Sequence, residues 1–126
     1  MLLKALWALE KQSRRGFRGY PVATVAFYGP DDRRATKVAV GIILSESAEA
    51  DPLQRWFSEH EDARTEPGIA RQIGAFIEAH GAKSVALVDR IIGCPHEERI
   101  DYPEGSACPQ CPFWGNRDRW SGQRLP

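Results

Sequence analysis

Apolar positions along this chain change period several times before Ile92, and after it they lose any period. Leu2, Leu3, Leu6 and Leu9 in "LLKALWALEKQ" recur near helical spacing, which predicts a short amphipathic helix ending before the glycine-bearing "SRRGFRG" linker. Residues 22 to 28 and 35 to 44 are rich in β-branched and aromatic side chains. Gly29, Pro30, Asp31 and Asp32 separate them, so the two runs predict a β-hairpin. The second run closes on "VGIIL", consecutive apolar residues of the kind found in a strand covered on both faces.

Asp51 before Pro52, with Gln54 three residues after Asp51, reads as an N-cap, a first-turn proline and a capping-box partner, and predicts that "DPLQRWFSEH" is a short helix. Thr65, Glu66 and Pro67 open another, on which Ile69, Ile73, Phe76 and Ile77 share one face until Gly81 stops it. "KSVALVDRII" then predicts a third strand, and so long a crossover favours a parallel pair with the helix on one face of the sheet. The fold class expected is α/β: a small mixed β-sheet, made of the hairpin plus a third strand after a helical crossover, with helices packed on it and a C-terminal zinc-binding loop. Residues 1–92 would be the α/β core with its N-terminal amphipathic helix, and 93–126 a Cys3His zinc loop with an aromatic and basic tail, part of the same domain. A chain of 126 residues has enough material for one such core.

Charge adds little, since 17 basic residues balance 17 acidic ones and leave no global field to attract nucleic acid or anionic lipid. Its distribution is uneven: Lys4, Lys11, Arg14, Arg15 and Arg18 oppose Glu10 alone near the start, whereas Glu46, Glu49, Asp51, Glu59, Glu61, Asp62 and Glu66 make the middle acidic. Two solvated faces are the simplest expectation. No apolar run approaches the roughly 20 residues that span a bilayer, so the expectation is a cytoplasmic protein without a membrane partner. Three cysteines cannot all pair within one chain, and a reducing compartment would keep them as thiols or metal thiolates.

Those three cysteines and one of the three histidines fall within "GCPHEERIDYPEGSACPQCPFW", residues 93 to 114. Cys94-x-His96 is followed, after eleven residues, by Cys108-x-x-Cys111. Zinc takes four tetrahedral thiolate or imidazole ligands, often as two close pairs joined by a loop, because each close pair loses little chain entropy on meeting. Zn2+ on Cys94, His96, Cys108 and Cys111 is therefore the expected cofactor, with Arg90 or Arg99 able to offset the net negative charge of three thiolates. Cys94 and His96 can share a metal only if the chain bends at Pro95, since residues two apart in a strand point to opposite faces. Three buried thiols with a loop histidine, or a redox dithiol at Cys108 and Cys111, are the alternatives.

"CPQC" resembles the C-P-x-C knuckle of zinc ribbons and rubredoxins, with Pro112 where those families usually carry glycine. His96-x-Glu98 with Cys108-x-x-Cys111 resembles the signature of zinc nucleoside and nucleobase deaminases. That second resemblance implies an open site, with His96, Cys108 and Cys111 as ligands, a water as the fourth, and Glu98 or Glu97 as general acid or base. Ala107 stands where the signature has proline, and only nine residues separate Glu98 from Cys108. A site closed by Cys94 would do no hydrolysis, and Glu97 and Glu98 would then be a solvated acidic pair or partners for arginines.

In the tail, Phe113, Trp114 and Trp120 interleave with Arg117, Arg119 and Arg124. Trp114, Arg117, Arg119 and Trp120 are candidate contacts for a partner or for nucleic acid, through stacking and phosphate neutralisation. The plainer role for Phe113 and Trp114 is to cover the metal loop and pack on the sheet. His60 and His80 lie near predicted helix C-termini, where an imidazole caps carbonyls, and Trp7 and Trp56 read as packing or partner-contact residues. No nucleophile with a positioned base and no phosphate-cradling glycine loop appears. The leading expectation is a small zinc-binding interaction module with a protein partner, nucleic acid being the second candidate and a zinc hydrolase the rival class.

Overall fold

Val22, Thr24 and Ala26 alternate with Ala23, Val25 and Phe27, and this period of two puts the second set at full burial in the first strand, β1 (Val22–Tyr28). Our computed structural model describes residues 7–106 and 108–116. Within it β1 pairs antiparallel with β2 (Lys37–Ile43), from Val22 opposite Ile43 to Tyr28 opposite Lys37, which is the predicted hairpin. Thr36 closes it by donating its backbone N–H to the Tyr28 carbonyl at 2.8 Å.

One predicted helix is replaced by a strand. Residues Leu53–Phe57 of "DPLQRWFSEH" form β3, antiparallel to β2, with Trp56 opposite Val38 and Arg55 opposite Ala39. The capping signal at Asp51 fails because the backbone there is engaged with β2: Asp51 N–H donates to the Ile42 carbonyl, and Ile42 N–H to the Pro52 carbonyl. Pairing along that edge outweighs a weak local helix preference over five residues. His60 consequently caps no helix and lies exposed in the loop beside Glu59.

The α2 helix (Pro67–Ala79) carries Pro67 at its first turn and buries Ile69, Ala70, Ile73 and Ile77 against Val25, Val38, Val40 and Ile42 of the sheet. Its last turn is closed by His80, whose Nδ1 lies 2.9 Å from the Phe76 carbonyl, and by Gly81 at φ +62°, a conformation that favours glycine. Phe76 meets Trp56 edge-on at 5.9 Å between ring centroids, so α2 also holds β3 in place. The crossover leads into β4 (Ser84–Ile91), parallel to β1, and completes a four-stranded sheet of order β3-β2-β1-β4 among the described residues. The N-terminal helix, α1 (Trp7–Arg14), buries Leu9 in the core and runs two residues further than the predicted "LLKALWALEKQ". Ser13 Oγ on α1 accepts the Leu87 N–H at 3.3 Å, satisfying a backbone donor on the outer edge of β4. Leu2, Leu3 and Leu6 lie outside the described residues.

The parallel pair positions the site. Its register shifts after Val25, so that Phe27 pairs with Ile91, and the ladder then continues past β4. Ile92 N–H donates to the Phe27 carbonyl at 3.0 Å, and Gly29 N–H to the Gly93 carbonyl at 2.9 Å. Cys94 is thereby delivered to the mouth of the β1–β2 hairpin.

Candidate metal centre

Beyond Gly93 the chain turns rather than extending, and the His96 N–H donates to Cys94 Sγ at 3.2 Å. This is the bend at Pro95 that a shared metal requires. The His96 Nδ1 atom then lies 3.2 Å from Cys94 Sγ, 3.5 Å from Cys108 Sγ and 3.5 Å from Cys111 Sγ. All four donor atoms fall within 4.8 Å of one another. Tetrahedral zinc with bonds of about 2.3 Å to sulfur and about 2.0 Å to nitrogen sets nitrogen and sulfur about 3.5 Å apart, so the donor set and its spacing fit this ion. Cys108 and Cys111 are 8% and 2% exposed, while Cys94 is half-buried.

Cys108 and Cys111 sit on a turn closed by Cys111 N–H donating to the Cys108 carbonyl at 3.3 Å, and a short 3-10 helix, Pro112–Asn116, follows. Trp114 on that helix packs against the core and donates from Nε1 to the Gly29 carbonyl at 2.8 Å. Phe113 stacks edge-on against it at 4.9 Å. Trp114 thus packs on the sheet, as the plainer role for it expects. Gly29 admits no larger residue, because a Cβ there would collide with the Arg34 carbonyl oxygen.

The loop between His96 and Cys108 is braced by its own hydrogen bonds. Arg99 N–H donates to the Tyr102 carbonyl at 2.8 Å, Asp101 N–H to the Glu97 carbonyl at 2.7 Å, and Glu97 N–H to Asp101 Oδ2 at 2.7 Å. Gly105, at φ +83°, makes the turn toward Cys108 and donates its N–H to Glu98 Oε2 at 2.8 Å. These hydrogen bonds give the aperiodic segment a source of order that needs no metal.

Lys37 and Arg55 were not singled out in the sequence, yet they anchor the loop to the sheet. Lys37, 4% exposed at the start of β2, donates from Nζ to the Pro95 carbonyl at 2.9 Å and to Glu97 Oε2 at 2.8 Å. Arg55 on β3 grips the same carboxylate through Nε at 2.5 Å and Nη2 at 2.8 Å. The hydrogen bonds from Arg55, with those from Lys37, hold the Glu97 carboxyl below its usual range despite burial. A lone lysine inside an apolar strand was the available signal for Lys37; the helical reading of residues 51–60 hid Arg55.

Two cations and one carboxylate leave one net positive charge beside the ligands, which would offset the net minus one of three thiolates and an imidazole on a divalent ion. Arg99, expected as a possible counter-charge, instead pairs with Glu104 at 2.6 Å. Burial pushes the Cys94 thiol up to about 12 and raises the Cys111 thiol as well. Arg117, Arg119 and Trp120 lie outside the described residues. Compared with protein-family models, with curated proteins and with solved structures, the chain matches none.

Proposed function

We propose that Cys94, His96, Cys108 and Cys111 hold one zinc ion in a closed Cys3His site that fastens the C-terminal loop to the sheet, and that the protein is an interaction module of a reducing, cytoplasmic compartment. The observation that carries the zinc reading is the approach of His96 Nδ1 to three sulfurs at 3.2 to 3.5 Å. A protein partner is supported by β3, an edge strand that leaves Leu53 43% and Phe57 65% exposed. The bonding of Glu97 to Lys37 and Arg55, and of Glu98 to the Gly105 amide, favours a structural role for both carboxylates over that of a general base.

Cys94→Ser separates a closed site from an open one. Loss of stoichiometric zinc together with loss of order in residues 93 to 116 supports closure by Cys94. Retention of zinc and fold would make Cys94 dispensable and return the three-ligand hydrolytic site to consideration.

A further inference from the structure

The three cysteines of the cluster differ in burial. Cys108 and Cys111 are buried, whereas Cys94 is half-buried and lines two cavities. One, of about 360 Å³, is bounded by Cys94, Cys108, Cys111, Glu98, Tyr102 and Trp114. The other, of about 320 Å³, lies toward the sheet and is bounded by Cys94, His96, Lys37, Arg55, Glu97 and Tyr28. Cys94 is the one cysteine that lines both. A water occupies about 30 Å³ of liquid, so the second cavity, which neither Cys108 nor Cys111 lines, has room for a peroxide molecule and solvent on the Cys94 side of the cluster.

Resting on the metal reading above, we propose that Cys94 is an oxidation site at which hydrogen peroxide unlocks the metal centre. Susceptibility of a cysteine follows thiolate character and exposure; coordination would supply the first to all three sulfurs, and Cys94 is the one of the three that is not fully buried and that borders the second cavity. The Cys94 thiolate attacks one peroxide oxygen: the S–O bond forms, the O–O bond breaks, the attacked OH stays on sulfur as sulfenic acid, and the other leaves as hydroxide. A thiolate of Cys108 or Cys111 then attacks the sulfenic sulfur of Cys94, forming the S–S bond and expelling a second hydroxide. Two sulfurs are each oxidised by one electron and one peroxide is reduced to two hydroxides. The sulfurs start within 4.8 Å of one another and close to about 2.05 Å by side-chain movement as the S–S bond forms. With His96 and a single thiolate remaining, the ion loses half of its ligands.

The experiment uses the full chain as purified, with its zinc content measured first. Hydrogen peroxide is added in substoichiometric steps, released zinc is read with a chromophoric chelator, and the cysteines are mapped by mass spectrometry after blocking residual thiols. The expected result is release of zinc in proportion to peroxide, a fall from three free thiols to one, and a disulfide that includes Cys94. A disulfide joining Cys108 to Cys111 with Cys94 still a thiol, or zinc retained after thiol loss, overturns the proposal while leaving the metal reading intact. Absence of zinc at the outset removes both.

Discussion

Lys37 Nζ on β2 lies 2.8 Å from the carboxylate of Glu97, the neighbour of His96, across 60 residues of sequence. The same ammonium binds the Pro95 carbonyl, so one buried lysine holds the chain on both sides of a candidate ligand. Breaking a buried pair by removing one partner costs about 3 to 5 kcal/mol, a figure reduced here because Glu97 is partly exposed and keeps Arg55. Lys37→Met is therefore expected to lower unfolding free energy by about 1 to 3 kcal/mol in urea titration. Zinc should remain stoichiometric but exchange faster with a competing chelator.

Trp114 ties the far end of the loop to the hairpin through Gly29. Trp114→Phe keeps a ring over the core but deletes the donor, for an expected loss of about 1 kcal/mol. Trp114→Ala also leaves a cavity, with an expected loss of about 3 kcal/mol or more. Equal losses for the two variants, measured by denaturant unfolding, would mean that ring packing contributes nothing.

Gly29 faces the loop from the other side, accepting from Trp114 and donating to Gly93. Because an added Cβ meets backbone rather than a movable side chain, Gly29→Ala is expected to cost about 1 to 3 kcal/mol. The Ile92 amide, which donates to the Phe27 carbonyl, and the amide of residue 29, which donates to the Gly93 carbonyl, should lose hydrogen-exchange protection along with it. Unchanged protection at those amides would contradict the continuous ladder from β1 into the loop.

Asp62 caps the 3-10 turn Ala63–Thr65, accepting the Arg64 N–H at 2.9 Å and Arg64 Nη2 at 2.7 Å. Burial pulls its pKa upward, but the bonds from Arg64 outweigh it and the carboxyl titrates below its ordinary value. With the folded value depressed, the stabilisation is complete above the unfolded pKa of about 3.9 and is lost as pH falls through the folded value. Asp62→Ala should cost about 1 kcal/mol at neutral pH, and the gap from wild type should narrow below about pH 4. A gap independent of pH, in urea titrations from pH 3 to 7, would assign the loss to packing alone.

The hairpin, α2 and β4 were legible because local signals agreed with tertiary demands: turn residues at Gly29 to Asp32, proline at the first turn of α2, and Gly81 at positive φ. At residues 51 to 57 they conflicted. The capping pattern at Asp51 is local, whereas the pairing of Leu53–Phe57 depends on an unpaired edge of β2. The four candidate ligands could be read from their spacing, and the turn at Pro95 resolves the geometric objection to Cys94. Their anchors could not. Lys37 with Glu97 and Trp114 with Gly29 meet across 60 and 85 residues, distances over which composition and periodicity carry no information.

Metal content decides whether Cys94, His96, Cys108 and Cys111 form a metal site. Elemental analysis of the protein, purified without added metal or chelator, should find one zinc per chain, and stripping it with a strong chelator should lower Tm and expose Cys94, Cys108 and Cys111 to alkylation together. A purified chain that carries no metal, binds none on addition, and keeps the same Tm with and without chelator would rule out zinc at this cluster.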